Sequence, residues 1–195
     1  FPMQTIRQRL HALLLLAALT ISLAVPASAA GSLPFTDVDP SEWYYTYVQD
    51  LYDAGIVDGV TSTAFRPEGT VTFGQALKLV LMAAGYENQA PTGTHWASGF
   101  YDLAQREGLL PSGPNLGLDD AITRLEIAEI TVLAMDLSRT SQDPSPFDDT
   151  DAEAALILWD HGIFEGSASG DQILFQPQDD ISRAEITTVI WRIYH

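Results

Sequence analysis

The sequence predicts an all-α fold: three helix–loop–helix repeats in a pseudo-threefold arrangement around a three-helix core. Three observations carry this. A five-residue stretch is written three times, as Val71-Thr72-Phe73-Gly74-Gln75, Ile122-Thr123-Arg124-Leu125-Glu126 and Ile181-Ser182-Arg183-Ala184-Glu185. Each has Thr or Ser followed three residues later by Glu or Gln, the spacing of a capping box, and an apolar pair astride the cap that forms a hydrophobic staple. Gly–apolar pairs recur at Gly55-Ile56, Gly108-Leu109 and Gly162-Ile163, 53 and 54 residues apart, where a helix should stop. Finally, positions four, seven, eight and eleven after each cap read Ala76/Leu79/Val80/Ala83, Ile127/Ile130/Thr131/Ala134 and Ile186/Val189/Ile190/Ile193. Three one-sided apolar stripes are the pattern of helices that pack together.

The elements follow in order. Residues 1–29 read as a secretory signal peptide: Arg7, Arg9 and His11 form a basic start, residues 12–25 an apolar run and Ala27-Ser28-Ala29 a small-residue cleavage site. The run is short of the ~20 residues that span a bilayer. Cleavage would leave 166 residues with 7 basic and 26 acidic side chains, a formal charge of −19. Such a chain repels nucleic acid and anionic membrane. There is no cysteine, so an exported product would rest on apolar burial alone.

The three repeats span residues 33–86, 92–138 and 146–195. In the first, Asp39, Pro40 and Glu42 form a capping signature, after which Tyr44, Tyr47, Val48 and Leu51 follow at helical spacing. In the second, Thr94 is a weaker cap, and Trp96 precedes its glycine by twelve residues, as Trp43 does. The third opens with Phe147-Asp148-Asp149, has Thr150 and Glu153 as a capping box and lacks the aligned Trp. The connections Phe65-Arg66-Pro67 and Phe175-Gln176-Pro177 read as loops pinned by a buried Phe, each seven residues before a cap.

Capping accounts for Thr72/Gln75, Thr123/Glu126 and Ser182/Glu185 but not for Arg124 and Arg183. At the first helical position a cation opposes the helix dipole, so something anionic should compensate. One such Arg reads as a surface residue paired with a protein carboxylate. Two in equivalent places point to an anion site shared by ligand and protein, the side chains themselves contributing little to the fold. A guanidinium suits a carboxylate through bidentate pairing. Trp43 and Trp96 read either as flat faces for sugar rings or as core aromatics.

Phe35-x-Asp37, Trp43, Gly55-Ile56, Phe65-x-Pro67 and the Thr-Arg-Leu-Glu and Ser-Arg-Ala-Glu stretches resemble surface-layer homology (SLH) repeats. The resemblance runs from Leu33 to His195. It implies an exported module that holds its protein to a bacterial cell wall or S-layer. The partner it implies is a peptidoglycan-linked acidic polysaccharide, pyruvylated in many cases, bound non-covalently in grooves between repeats. Other S-layer or cell-surface proteins are further partners. The ligand-binding residues on this reading are Arg124, Arg183, Trp43, Trp96 and Asp37. Phe73 and Gln75 depart from the motif and leave the first repeat's contribution open.

Two other classes compete: a self-assembling S-layer subunit and a cell-wall glycoside hydrolase. No two carboxylates stand out as a catalytic pair. His95, His161 and His195 have no metal spacing, and no cofactor motif is present. The expectation is a non-enzymatic chain with no catalytic, metal or cofactor site.

Overall fold

The computed structural model describes residues 32–113 and 116–195. The signal-peptide reading of residues 1–29 lies outside them. Leu33–His195 forms one unit with six helices and one small hairpin among the described residues. The helices are α1 (Tyr45–Asp53), α2 (Phe73–Ala83), α3 (Ser98–Glu107), α4 (Arg124–Ala134), α5 (Glu153–Asp160) and α6 (Arg183–Tyr194). None of them is long and apolar enough to cross a membrane.

The three capping stretches meet and hydrogen-bond in a closed ring. The Ile122 N–H donates to the Val71 carbonyl (3.1 Å), the Ile181 N–H to Ile122 (3.2 Å) and the Val71 N–H to Ile181 (3.1 Å). All three side chains are fully buried. A helix leaves its first N–H groups without internal partners, and here every one of them is met. The first helical N–H of each capped helix donates to a neighbouring repeat: Phe73 to Asp120, Arg124 to Asp179 and Arg183 to Gly69. The second does likewise: Gly74 to Leu118, Leu125 to Pro177 and Ala184 to Pro67. The third goes to the cap hydroxyl of Thr72, Thr123 or Ser182, while Gln75, Glu126 or Glu185 accepts from the cap's own N–H. The helix starts are therefore tied across repeats as well as within them.

Packing follows the same exchange. The first helix of each repeat lies not on its own capped helix but on that of the repeat before it, cyclically: α1 on α6, α3 on α2 and α5 on α4. The α2 helix also packs against both α4 and α6. The apolar stripes supply the core, with Ala76, Val80, Ile127, Ile130, Ile186 and Ile190 fully buried. Neither helix of a repeat can bury its stripe without another repeat, so the three fold together.

The first helices all stop alike. Gly55, Gly108 and Gly162 sit at φ near +70°, the left-handed conformation glycine adopts freely. In each case the next residue's N–H reaches back: Ile56 to Leu51, Leu109 to Ala104 and Ile163 to Leu158.

Their starts differ from the sequence reading. Helix α1 begins at Tyr45, and Asp39 instead caps a turn, its Oδ1 accepting from the Ser41 N–H and hydroxyl. Helix α3 begins at Ser98 rather than after Thr94. There the Ser98 hydroxyl collects the N–H groups of Thr92 and Gly93, and His95 Nδ1 accepts from Ala97. Thr150 and Glu153 form no box: Thr150 accepts one N–H, from Ala152, and α5 starts at Glu153 without a side-chain cap. At Asp39 and Thr150 a local turn takes the polar side chain before the helix begins, and before α3 the turn is held by Ser98 and His95 rather than by Thr94.

The connection after α5 carries a feature the all-α reading left as irregular. Strands β1 (Ser167–Ser169) and β2 (Gln172–Leu174) pair antiparallel across a two-residue Gly170-Asp171 turn. Asp160, at the end of α5, ties down the 138–146 linker by accepting from Arg139 Nε and the N–H groups of Thr140 and Ser141.

Thr123→Ala removes the hydroxyl that accepts the Glu126 N–H and donates to Glu126 Oε2. It should cost about 1 kcal/mol in chemical denaturation, the usual value for a lost cap. An unchanged midpoint would mean that the cap contributes nothing.

Candidate functional site

Two cavities open between repeats, each with an arginine from the first turn of a capped helix and a tryptophan at its rim. The first, of about 250 Å³, is lined by Trp96, Arg183, Gln75, Lys78, Leu79 and the segment from Ile56 to Val60. The second, of about 320 Å³, is lined by Trp43, Tyr47, Arg124, Glu185, Thr188, Val189, Arg192 and the segment from Ile163 to Ser167. Much of their lining corresponds position by position. Trp96 matches Trp43, Arg183 matches Arg124, Gln75 matches Glu185, Lys78 matches Thr188, and Asp58 matches Glu165. Each takes side chains from all three repeats.

The arginines are placed by the Phe-x-Pro loops. Asp37 accepts the N–H groups of Phe65 and Arg66 (both 2.8 Å), and Asp149 those of Phe175 (2.8 Å) and Gln176 (2.7 Å). Arg66 and Gln176 are both left-handed, at φ 58°, so each carboxylate holds a strained turn closed. The turned loop aims a Phe carbonyl inward. Arg183 Nε donates to Phe65 O and Arg124 Nε to Phe175 O, both at 2.7 Å. The guanidinium of Arg183 lies over the Phe65 ring at 4.6 Å and that of Arg124 over Phe164 at 4.7 Å, a cation–π arrangement.

The sequence reading has these arginines contribute little to the fold, and the structure corrects it. Arg124 is 4% exposed and Arg183 9%. Their Nε–H groups latch one repeat to the loop of another, and a buried carbonyl would lose its partner without them. Burial lowers the pKa of both. For Arg124 the charges of Glu185, Asp179 and Asp149 work against that shift, and for Arg183 those of Asp37 and Asp58. Both stay charged, as arginines do.

The tryptophans resolve the other way. Trp43 is 58% exposed and Trp96 45%, so both are rim aromatics rather than core. The partly buried Trp159 packs on Phe147 instead. Asp37 lines neither cavity; its place is behind the loop that positions Arg183. Partial burial would raise its pKa, but the N–H groups of Phe65 and Arg66 and the charge of Arg183 outweigh this and hold it below the usual value.

Thr123, Glu126, Ser182, Thr72 and Gln75 lie at the helix starts, and Glu185 does more than cap. Its Oε2 accepts from the Ser182 N–H and hydroxyl, while its Oε1 accepts from Arg124 Nη1 at 2.7 Å. At the third corner Phe73 stands where the others have Arg, buried and edge-on to Tyr101. Sequence reasoning placed Tyr47 on the apolar stripe of the first helix and passed over Lys78, Thr188 and Arg192. The counts of four, seven, eight and eleven used for the capped helices skip those three positions, which line the cavities. His95, His161 and His195 make local contacts, to Asp119, Ser138 O and Trp191 O. Among the described residues no group of His, Asp or Glu could hold a metal ion.

Arg124→Ala and Arg183→Ala should each destabilise the protein by about 1.5–3 kcal/mol, the value of a hydrogen bond to a charged group. Lys should restore little, since it lacks the Nε–H. Urea midpoints equal to wild type would contradict the latch. Asp37→Asn offers a pH test. The depressed carboxyl stabilises the fold at neutral pH, and that contribution fades as acid protonates it below the ordinary value of 3.8. The stability gap between wild type and Asp37→Asn should therefore narrow on acidification; a constant gap would contradict the assignment.

The chain is similar in part to known proteins. Residues 34–77 match the S-layer homology domain. The chain is 25% identical to an endoglucanase of Bacillus sp. (strain KSM-635) over 93% of its own length and 22% of the enzyme's. It is 28% identical to the surface-layer 125 kDa protein of Lysinibacillus sphaericus, over 58% of this chain and 11% of that protein. It is 30% identical to a cell surface protein of Thermoanaerobacter kivui, over 53% of this chain and 13% of that one. The chain thus spans less than a quarter of the length of each. The family match covers residues 34–77, and it is this segment that resembles the S-layer homology domain.

Proposed function

We propose that the chain is a cell-surface anchoring module that binds an acidic, peptidoglycan-linked wall polysaccharide non-covalently through its two tryptophan–arginine cavities. The pyruvylated form of that polymer fits best, because a ketal-linked pyruvate presents one carboxylate on a sugar ring. The observation that carries the reading is the pairing, twice over, of an exposed Trp with a buried, charged Arg in a cavity between repeats. An aromatic face covers the apolar side of a sugar ring while a fixed guanidinium meets its charge.

The relatives support attachment over catalysis. An endoglucanase and two surface proteins share this segment while bearing unlike names, so the shared part serves something common to all three. Location at an exported bacterial surface, S-layer included, follows from the same reading. The formal charge of −17 does not prevent binding an anionic polymer. Charges farther than ~8 Å are screened at physiological salt, so the arginine in the cavity dominates.

Trp43→Ala and Trp96→Ala should test this cleanly, because both side chains are exposed and their loss should leave the melt unchanged. Each should weaken co-sedimentation with purified walls by roughly tenfold, the effect of removing an interface anchor. Walls stripped of their polysaccharide should retain neither wild type nor variant. Full binding by the double variant, or equal binding to stripped walls, would refute the proposal.

A further inference from the structure

The two cavities share a design but differ in charge. In the Trp43 cavity both cations are paired: Arg124 with Glu185 at 2.7 Å and Arg192 with Glu165 at 2.8 Å. In the Trp96 cavity Lys78 pairs with Asp58 at 3.1 Å, but no carboxylate among the described residues lies in ion-pair range of Arg183. Its Nε and Nη2 donate to the carbonyls of Phe65 and Asp58, and its Nη1 has no protein acceptor among those residues. Counted over the lining side chains alone, the Trp96 cavity thus keeps one surplus positive charge, and the Trp43 cavity keeps none.

The difference comes from one position. Glu185 uses one oxygen on its cap and the other on Arg124. Gln75 occupies the equivalent place and gives its Oε1 to the Thr72 N–H. What remains to Gln75 is an amide NH2, a donor, which cannot pair with a guanidinium. Two donor groups, the Gln75 amide and the Arg183 guanidinium, then line the same space, and with Asp58 already paired to Lys78 they are satisfied by an incoming acceptor such as a carboxylate. At Trp43 an incoming carboxylate would meet Glu185 and Glu165 and have to displace an existing ion pair.

We infer that Gln75 makes the Trp96–Arg183 cavity selective for carboxylate-bearing sugar, while the Trp43–Arg124 cavity, whose cations are already paired, binds sugar of the same chain without regard to its charge. This rests on the proposed polysaccharide binding and assigns each cavity its own part of the polymer.

The test follows the indole N–H signals of Trp96 and Trp43 by NMR in the whole chain, titrated with oligosaccharides from purified wall polysaccharide. One sample keeps its carboxyl groups and the other has them chemically reduced to alcohols. With the acidic sample Trp96 should shift at roughly tenfold lower concentration than with the reduced one, while Trp43 responds equally to both. Gln75→Glu should abolish the preference at Trp96, leave Trp43 as it was and retain the melting temperature, because Glu forms the same cap in the other two repeats. Equal response of Trp96 to both samples, or a preference that survives Gln75→Glu, overturns the inference while leaving wall binding intact. Silence of both indoles with either sample overturns the polysaccharide reading itself.

Discussion

The structure depends on three backbone hydrogen bonds that join Val71, Ile122 and Ile181 head to tail. A ring of this kind fixes three helix starts at once. Because each N–H and each carbonyl in it belongs to a different repeat, no repeat can be removed without leaving buried polar groups unpaired, at a cost of 1–3 kcal/mol apiece. The next two N–H groups of each capped helix extend the arrangement outward into the loops. What looks in sequence like three tandem modules is one cooperative body whose parts are exchanged between neighbours.

The arginines show how that constraint generates a site. Arg124 and Arg183 sit one residue past the caps and two past the ring, where the backbone of one repeat runs alongside the Phe-x-Pro loop of another. Only a long side chain with a donor at Nε can reach the loop carbonyl and still present its far end to the cavity between helices. The same residue therefore closes the fold and offers a charge, held in place by Phe65 or by Phe164 and Phe175. Where Phe73 replaces the arginine, the corner is sealed by apolar contact instead, and the latch and its charge are given up together.

Much of this was legible in the chain because it is written in local chemistry. The spacing from Thr or Ser to Glu or Gln marks three helix starts, and Gly55, Gly108 and Gly162 mark three stops, since capping and left-handed turns are decided within a few residues. The starts read at Asp39 and Thr150 differ from the structure for a related reason: a short polar side chain caps a turn as readily as a helix, and only tertiary packing chooses. The burial of Arg124 and Arg183 was not legible, because their acceptors, Phe175 and Phe65, lie 51 and 118 residues away. The contrast between Glu185 and Gln75 was visible as a departure from the repeat. Its meaning required knowing that Glu185 faces the arginine of another repeat and not its own.

The central claim is that an acidic sugar enters the cavity beneath Trp96 and meets Arg183. A crystal structure of the chain with an acidic wall oligosaccharide tests it most directly. The account predicts a sugar ring against the Trp96 indole with its carboxylate on Arg183 Nη1 and the Gln75 amide. An oligosaccharide bound away from both tryptophans, with Arg183 untouched, would contradict it.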